Sequence, residues 1–236
     1  MKKTKYNYNN ITYGFYDQIY HKKNGIRSAW HHIKFNFIKS KINKKNTHLD
    51  IGCGSGTFVS ILNNKFSAGI DISSKQIKFA NKTYGDKKKI FYSYKKKIPF
   101  NKNKFNSISL IELIEHLSNQ EISRLMKEIH KVLKKGGKVF ITTPNYLSLW
   151  PVLELIVNQI SSVSYKHQHI NKFHFMNIEK IIDKKKYNIK KCNSFMLFSP
   201  FLAFISFKLS INFSKIEQIL TKIFPGFLIF LELEKK

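Results

Sequence analysis

The segment Asp50-Ile51-Gly52-Cys53-Gly54-Ser55-Gly56 narrows the fold of this chain more than any other. It follows a strand-like run, Thr47 to Ile51, and precedes a helix-like one, and three alternating glycines belong inside neither. Such a loop ends a strand and opens a helix, and its missing side chains let a ligand approach the backbone amides closely. A nucleotide-like ligand is implied. Phe66 to Asp71 reads as the next strand, and Asp71 closes it 19 residues after Gly52, where a carboxylate can accept both hydrogen bonds of a ribose diol. The dinucleotide fingerprint G-x-G-x-x-G/A needs a small residue at position 57, and this chain has Thr57. The spacing G-x-G-x-G, with Asp50 two positions before the first glycine, suits a cofactor other than NAD.

Strand-like and helix-like runs alternate from about residue 46 to 143, the pattern of a parallel sheet covered by helices. Lys89 to Tyr94, Phe105 to Ile111 and Lys138 to Thr143 read as the third, fourth and fifth strands. Ser73 with Gln76, and Ser118 with Glu121, have capping-box spacing and predict helix starts. The second of these helices carries Ile122, Leu125, Ile129 and Leu133 on one face and ends at Gly136-Gly137. Ile26, Trp30, Ile33 and Phe37 predict an amphipathic helix within an N-terminal cap spanning residues 1–45. Residues 46–236 form the main domain, with Tyr187 to Phe198 and Gly226 to Leu233 as two final strands. Apolar insertions near 147–165 and 199–224 are read as lids.

After the fourth strand comes Ile111-Glu112-Leu113-Ile114-Glu115-His116-Leu117, in the region where an open α/β sheet takes its ligands. The spacings of three and four put Glu112, Glu115 and His116 on one side if the chain turns helically there. Two carboxylates and an imidazole so placed can hold a hard divalent ion or supply a general base.

On the motifs LDIGCGSGTF, GIDIS and LKKGGKVFITTPN the chain resembles the class I S-adenosylmethionine-dependent methyltransferases from about Leu49 to Asn145. The resemblance implies a three-layer α/β/α, Rossmann-like, seven-stranded sheet, mostly parallel with an antiparallel last strand. It also implies S-adenosyl-L-methionine as cofactor, bound by Asp50, Gly52, Gly54, Gly56, Asp71, Ile72 and Glu112, and it makes Cys53 a packing residue. Tyr92-Ser93-Tyr94 stands where the family often has an acid for the adenine, leaving a serine hydroxyl, stacking or backbone to meet it. Asn106 replaces the family's frequent aspartate. Glu112-x-x-Glu115-His116 with His169-Ile170-Asn171-Lys172-Phe173 is similar to the ubiquinone-pathway O-methyltransferases, which implies catalytic roles for Glu115, His116 and His169; His167 and His174 are nearby alternatives. It is also similar to the small-RNA 3′-terminal 2′-O-methyltransferases, in which such a set holds magnesium, so Glu112, Glu115, His116 and His169 are the implied Mg2+ ligands. The expected reaction is O-methylation of a small or lipid-linked hydroxyl substrate, a quinone-precursor phenol or a glycan, with RNA 2′-O-methylation as the alternative.

Composition enters through charge. The formal net charge is +28, but of 42 basic residues only Arg27 and Arg124 are arginine. Phosphate-reading surfaces favour arginine, whose planar fork matches phosphate, so nucleic acid is not the expected partner. Peripheral contact with anionic lipid fits the lysines equally well. The two cysteines, Cys53 and Cys192, make neither a disulfide framework nor a CxxC site and suggest a cytoplasmic setting. The N-terminal residues lack the apolar run of a targeting segment. Phe195 to Phe207, 13 residues with Pro200 inside, is short of the ~20 needed to cross a bilayer.

Overall fold

The computed structural model describes residues 12–160 and 168–236; residues 1–11 of the expected cap, 161–165 of the first insertion, and His167 lie outside these. Seven strands, β1 (Thr47–Ile51), β2 (Phe66–Asp71), β3 (Lys89–Ser93), β4 (Phe105–Ile111), β5 (Leu133–Pro144), β6 (Tyr187–Phe195) and β7 (Leu228–Lys235), form one sheet. Their order is β3-β2-β1-β4-β5-β7-β6. The first five pair in parallel, and β7 runs antiparallel to both of its neighbours, β5 and β6.

Alternate residues of these strands feed opposite cores, as a pleat requires. Val139 and Ile141 of β5, and Ile229, Leu231 and Leu233 of β7, pack with Ile122, Leu125, Met126 and Ile129 of α5 (Asn119–Val132). Phe140, Leu228 and Phe230 face the other way, onto Ala29, Ile33 and Phe37 of α2 (Gly25–Lys39). The periodic residues of the predicted N-terminal helix therefore lie in α2, which α1 (Phe15–Lys22) precedes.

The sequence places several boundaries imperfectly. Ser118 accepts from the Glu121 amide while Glu121 reaches back to the Ser118 amide, a complete box. Ser73 caps α4 (Ser74–Tyr84) through the Gln76 amide, but the Gln76 side chain is drawn instead to Ser55 Oγ at 2.7 Å and to the Gly14 amide. Helix α5 stops at Val132, not at Gly136-Gly137: the Asn103 and Lys104 amides and Lys235 Nζ take carbonyls of its last turn, and the fully buried Leu133 already pairs with Phe105. The glycines lie inside β5, in a bulge before Lys138 pairs with Ser107, with Gly136 at φ 68. Strand β3 ends at Ser93, one residue short of Tyr94.

The glycine loop leads into α3 (Thr57–Ser60), the first insertion contains α6 (Trp150–Ile160), and α7 (Phe175–Ile178) precedes β6. The second insertion is a 3-10 turn, Ser199–Phe204, followed by α8 (Phe207–Leu220).

Candidate active site

At the carboxyl ends of β1, β2 and β4 lies a cavity of about 510 Å3, walled on the other side by α1, α2 and α6. Its lining includes Asp50, Gly52, Gly54, Asp71 and Ile72 from the loop side and Glu112, Glu115, His116 and His169 from the opposite side. Gly52 and Gly54 are left-handed, at φ 78 and 51. A Cβ on Gly54 would meet nothing within 4 Å, so that position opens onto space. Gly56 is also left-handed, but a Cβ there would strike Phe91 at 2.7 Å and Ala80 at 2.9 Å. It is absent from the cavity lining. A side chain there has no room between the loop, α4 and β3, so glycine is required at this position.

Both Asp71 oxygens are positioned by backbone: Oδ2 accepts from the Gly54 amide at 2.9 Å and Oδ1 from the Ser73 amide at 2.8 Å. Burial raises its pKa against these hydrogen bonds. Asp50 is held differently. The parallel register sets His48 beside Ser107 and Asp50 beside Ser109, and Ser109 Oγ donates to Asp50 at 2.5 Å. Burial holds His48 neutral, with its pKa near 3, so Nε2–H donates to Ser109 and Nδ1 accepts from Ser107, at 2.9 and 2.8 Å. Burial also pushes Asp50 up to about 7. The sequence signal for this hydrogen-bonded row was present as two alternations, H-x-D on β1 and S-x-S on β4.

The expected four-ligand cluster does not assemble. Glu112 stands at φ 50, not in a helical turn, and its carboxylate accepts from Lys34 Nζ and, at 3.1 Å, from Trp30 Nε1, both on α2. Only from Ile114 to His116 does the chain turn, as a short 3-10 segment. Among the described residues, Glu115, His116 and His169 can offer ligand atoms all within 4.8 Å of one another. One carboxylate and two imidazoles suit a borderline ion such as zinc, and magnesium, which prefers oxygen, fits them poorly.

His169 reaches this place because the Glu115 carbonyl accepts from the amides of Ile170 and Asn171, at 2.8 and 3.1 Å. Asn171 Nδ2 adds a bond to the Leu117 carbonyl. His169 Nδ1 then lies 2.9 Å from Glu154 Oε1 and 2.9 Å from the Tyr146 hydroxyl, which itself donates to Glu154 Oε2. A carboxylate only accepts, so the imidazole carries its proton on Nδ1. Burial alone would lower the His169 pKa; the bond to Glu154 and the charges of Glu115, Glu154 and Glu112 outweigh it, and the pKa is raised. His116, its ring centroid 5.0 Å away, is pushed down to about 4 by burial and by His169. Its Nδ1–H donates to the Gln168 carbonyl. Glu115, almost fully buried and bonded by Thr143, is pushed up to about 7 by burial.

Tyr146 and Glu154, outside the cavity lining, are partners of His169 that the sequence reading missed. Glu154 is the sole charge in the helix WPVLELIVNQI, which is the signal that could have found it. His174 stands at the start of α7 and is absent from the cavity lining. Buried Cys53 packs in a cluster with Val59, Ile77, Ala80 and Phe91.

The profile of the methyltransferase-domain family matches residues 25–189. The chain is 29% identical to an uncharacterized protein of Methanocaldococcus jannaschii over 177 residues, 74% of this chain and 64% of that protein. It is 36% identical to the ubiquinone biosynthesis O-methyltransferase of Pelagibacter ubique over 137 residues, 53% of this chain and 55% of that one. The chain thus spans between half and two thirds of the length of these curated relatives. Among solved structures, an S-adenosylmethionine-dependent methyltransferase of Thermotoga maritima has the same fold, with a TM-score of 0.65 at 15% identity over 94% of this chain and 95% of that one. Another, from Methanosarcina mazei, gives a TM-score of 0.56 at 19% identity over 85% and 96%. With the family profile spanning α2, the first five strands and the Glu115-His116 segment, the chain belongs to the methyltransferase-domain family.

Proposed function

We propose that this protein transfers a methyl group from S-adenosylmethionine to a hydroxyl oxygen of a small or lipid-borne acceptor, with His169 taking the hydroxyl proton. The observation that carries this reading is the pairing of His169 with Glu154 and Tyr146 opposite the glycine loop, across one cavity. The loop fits the cofactor: Gly54 leaves room that a Cβ would fill, and Asp71 presents a carboxylate fixed by two amides. Gly52, Gly54, Asp50, Asp71 and Ile72 would hold it. When bound, the cofactor supplies a sulfonium methyl already activated for in-line displacement, so the protein needs mainly to align the oxygen and remove its proton.

Glu154 keeps the His169 proton on Nδ1, which gives Nε2 the lone pair needed at the acceptor. Neutral His116, with the Glu115 carboxyl beside it, shapes the polar end of the acceptor pocket, and Trp30, Trp150 and Leu153 its apolar walls. The two imidazoles, neighbours with pKa values driven apart, divide the roles of base and neutral partner. Proton removal at His169 needs no magnesium.

The test is to incubate purified protein with methyl-labelled cofactor and, separately, a hydroxylated aromatic, a lipid extract and RNA. Label is expected in the phenol or lipid fraction, unaffected by a chelator, with cofactor affinity near micromolar, roughly −8 kcal/mol, and weakened in Asp71→Ala. Label in RNA would overturn the acceptor class. Loss of turnover on chelation would reassign Glu115, His116 and His169 to metal ligation.

A further inference from the structure

Exposed large apolar side chains of this protein concentrate in its two insertions. Helix α6 has two apolar faces: Trp150, Leu153 and Val157 line the cavity, whereas Val152, Leu155 and Ile156, with Leu149 just before the helix, point outward, Leu155 with 65% of its surface exposed. Helix α8 splits its apolar residues between two sides. Phe207 and Ile211 pack inward beside α2, and Glu217 and Ser210 are fully enclosed, Glu217 accepting from the amide and hydroxyl of Ser199, and Ser210 donating to the Ser199 carbonyl. Its outward side carries Ile216 and Ile219, with Ile223 just beyond, at 61%, 65% and 74% exposure. The preceding turn adds Phe204 and Ile205, both 79% exposed. The insertions are joined across the molecule by rings: Trp30 touches both Trp150 and Phe227, and Phe227 touches Phe201.

Charge selects the occupant. Lys208 and Lys215, seven residues apart, lie along one side of α8, and Lys222 follows in the turn just past its end, close to Ile219; all three are exposed. From residue 146 to 160 and from 196 to 227 the chain has two carboxylates, Glu154 and Glu217. Both are turned inward, one to His169 and one to Ser199. The exposed surface of the insertions is therefore apolar and positive with no acid on it. A second copy would bring like charges together, and no described helix is long and apolar enough to cross a membrane. An anionic bilayer surface meets both requirements: acyl chains for the isoleucines and phenylalanines, headgroup phosphates for the lysines.

We propose that the outer faces of α6 and α8 dock this protein on an anionic lipid bilayer, and that α6, whose inner face walls the cavity, sets the acceptor pocket against the membrane. The acceptor is then an amphiphile drawn from the lipid phase. This last clause rests on the methyl-transfer reading above; the docking itself does not.

The test is flotation of the full chain with vesicles of phosphatidylcholine alone and of phosphatidylcholine with phosphatidylglycerol, across a salt series. Wild type is expected to float with the anionic vesicles and to keep part of its binding at salt concentrations that screen surface charge. Lys215→Glu/Lys222→Glu should weaken binding about ten-fold at low salt, and Ile216→Ser/Ile219→Ser and Leu155→Ser should each remove the salt-resistant part. The serine variants alter exposed positions and keep the net charge. Equal binding by them and wild type would reduce the effect to overall charge and overturn the proposal, as would equal binding to neutral vesicles. Concentration-dependent dimers that no longer float would assign the face to a second copy instead. Cofactor binding, read separately by calorimetry without lipid, reports on the methyl-transfer reading alone.

Discussion

The two ring nitrogens of His169 have different partners, and that difference is the most testable feature of the site at the scale of one residue. Glu154 accepts from Nδ1 and raises the pKa, so the neutral ring required of a base is reached only as pH rises through that raised value. The same shift contributes stability that is fully present below the unfolded pKa and lost as pH passes the folded one. Glu154→Gln keeps an acceptor for Nδ1–H and removes the charge; it should lower the His169 pKa, move the acidic limb of the rate profile to lower pH and cut turnover roughly ten- to a hundredfold. Histidine NMR and a pH–rate profile would check it, and an unmoved limb would show that Glu154 serves packing alone. Glu154 was hard to read because an acid within an apolar helix gives no hint of which turn it will face. Glu112 was misread for a different reason. Its spacing to Glu115 and His116 converges only in a helix, and a backbone at φ 50 sends its carboxylate to α2.

Among elements, α2 depends most on one buried contact. Lys34 and Trp30 both donate to Glu112, and the Lys34 side chain is only 6% exposed. Removing one partner of such a pair strands the other charge, so Lys34→Met should cost about 3 kcal/mol, whereas Lys34→Met/Glu112→Leu should recover much of it. Urea denaturation of the two variants would measure the difference; equal losses would mean that α2 is held by its apolar face alone. That face was legible in the sequence because Ile33 and Phe37 obey the helical period and end up buried. The parallel strands were equally legible, their apolar runs bounded by turn residues. Helix α8 was legible only as an apolar insertion: it carries apolar residues on two sides, and the Ser199–Glu217 bonds, together with Phe207 and Ile211 against α2, decide which of them face in.

At the scale of the whole molecule, the resemblance was enough to imply the sheet, but the consequences of its order are physical and concern time. Strand β7 lies between β5 and β6 although it follows both in the chain, and its residues Leu228 to Leu233 are almost wholly buried. During synthesis β5 and β6 therefore emerge with facing edges that nothing can satisfy until residues 228–235 have left the ribosome. Open edges invite pairing with other chains. Nascent chains stalled before β7 emerges should be cut readily by protease within β5 and β6 and bound by chaperones, and chains extended past it should resist; protection before β7 emerges would contradict this. The reversed strand thus acts as a clock: one half of the sheet can gather as it is translated, while the other must wait, unpaired, for a single late segment to lock it.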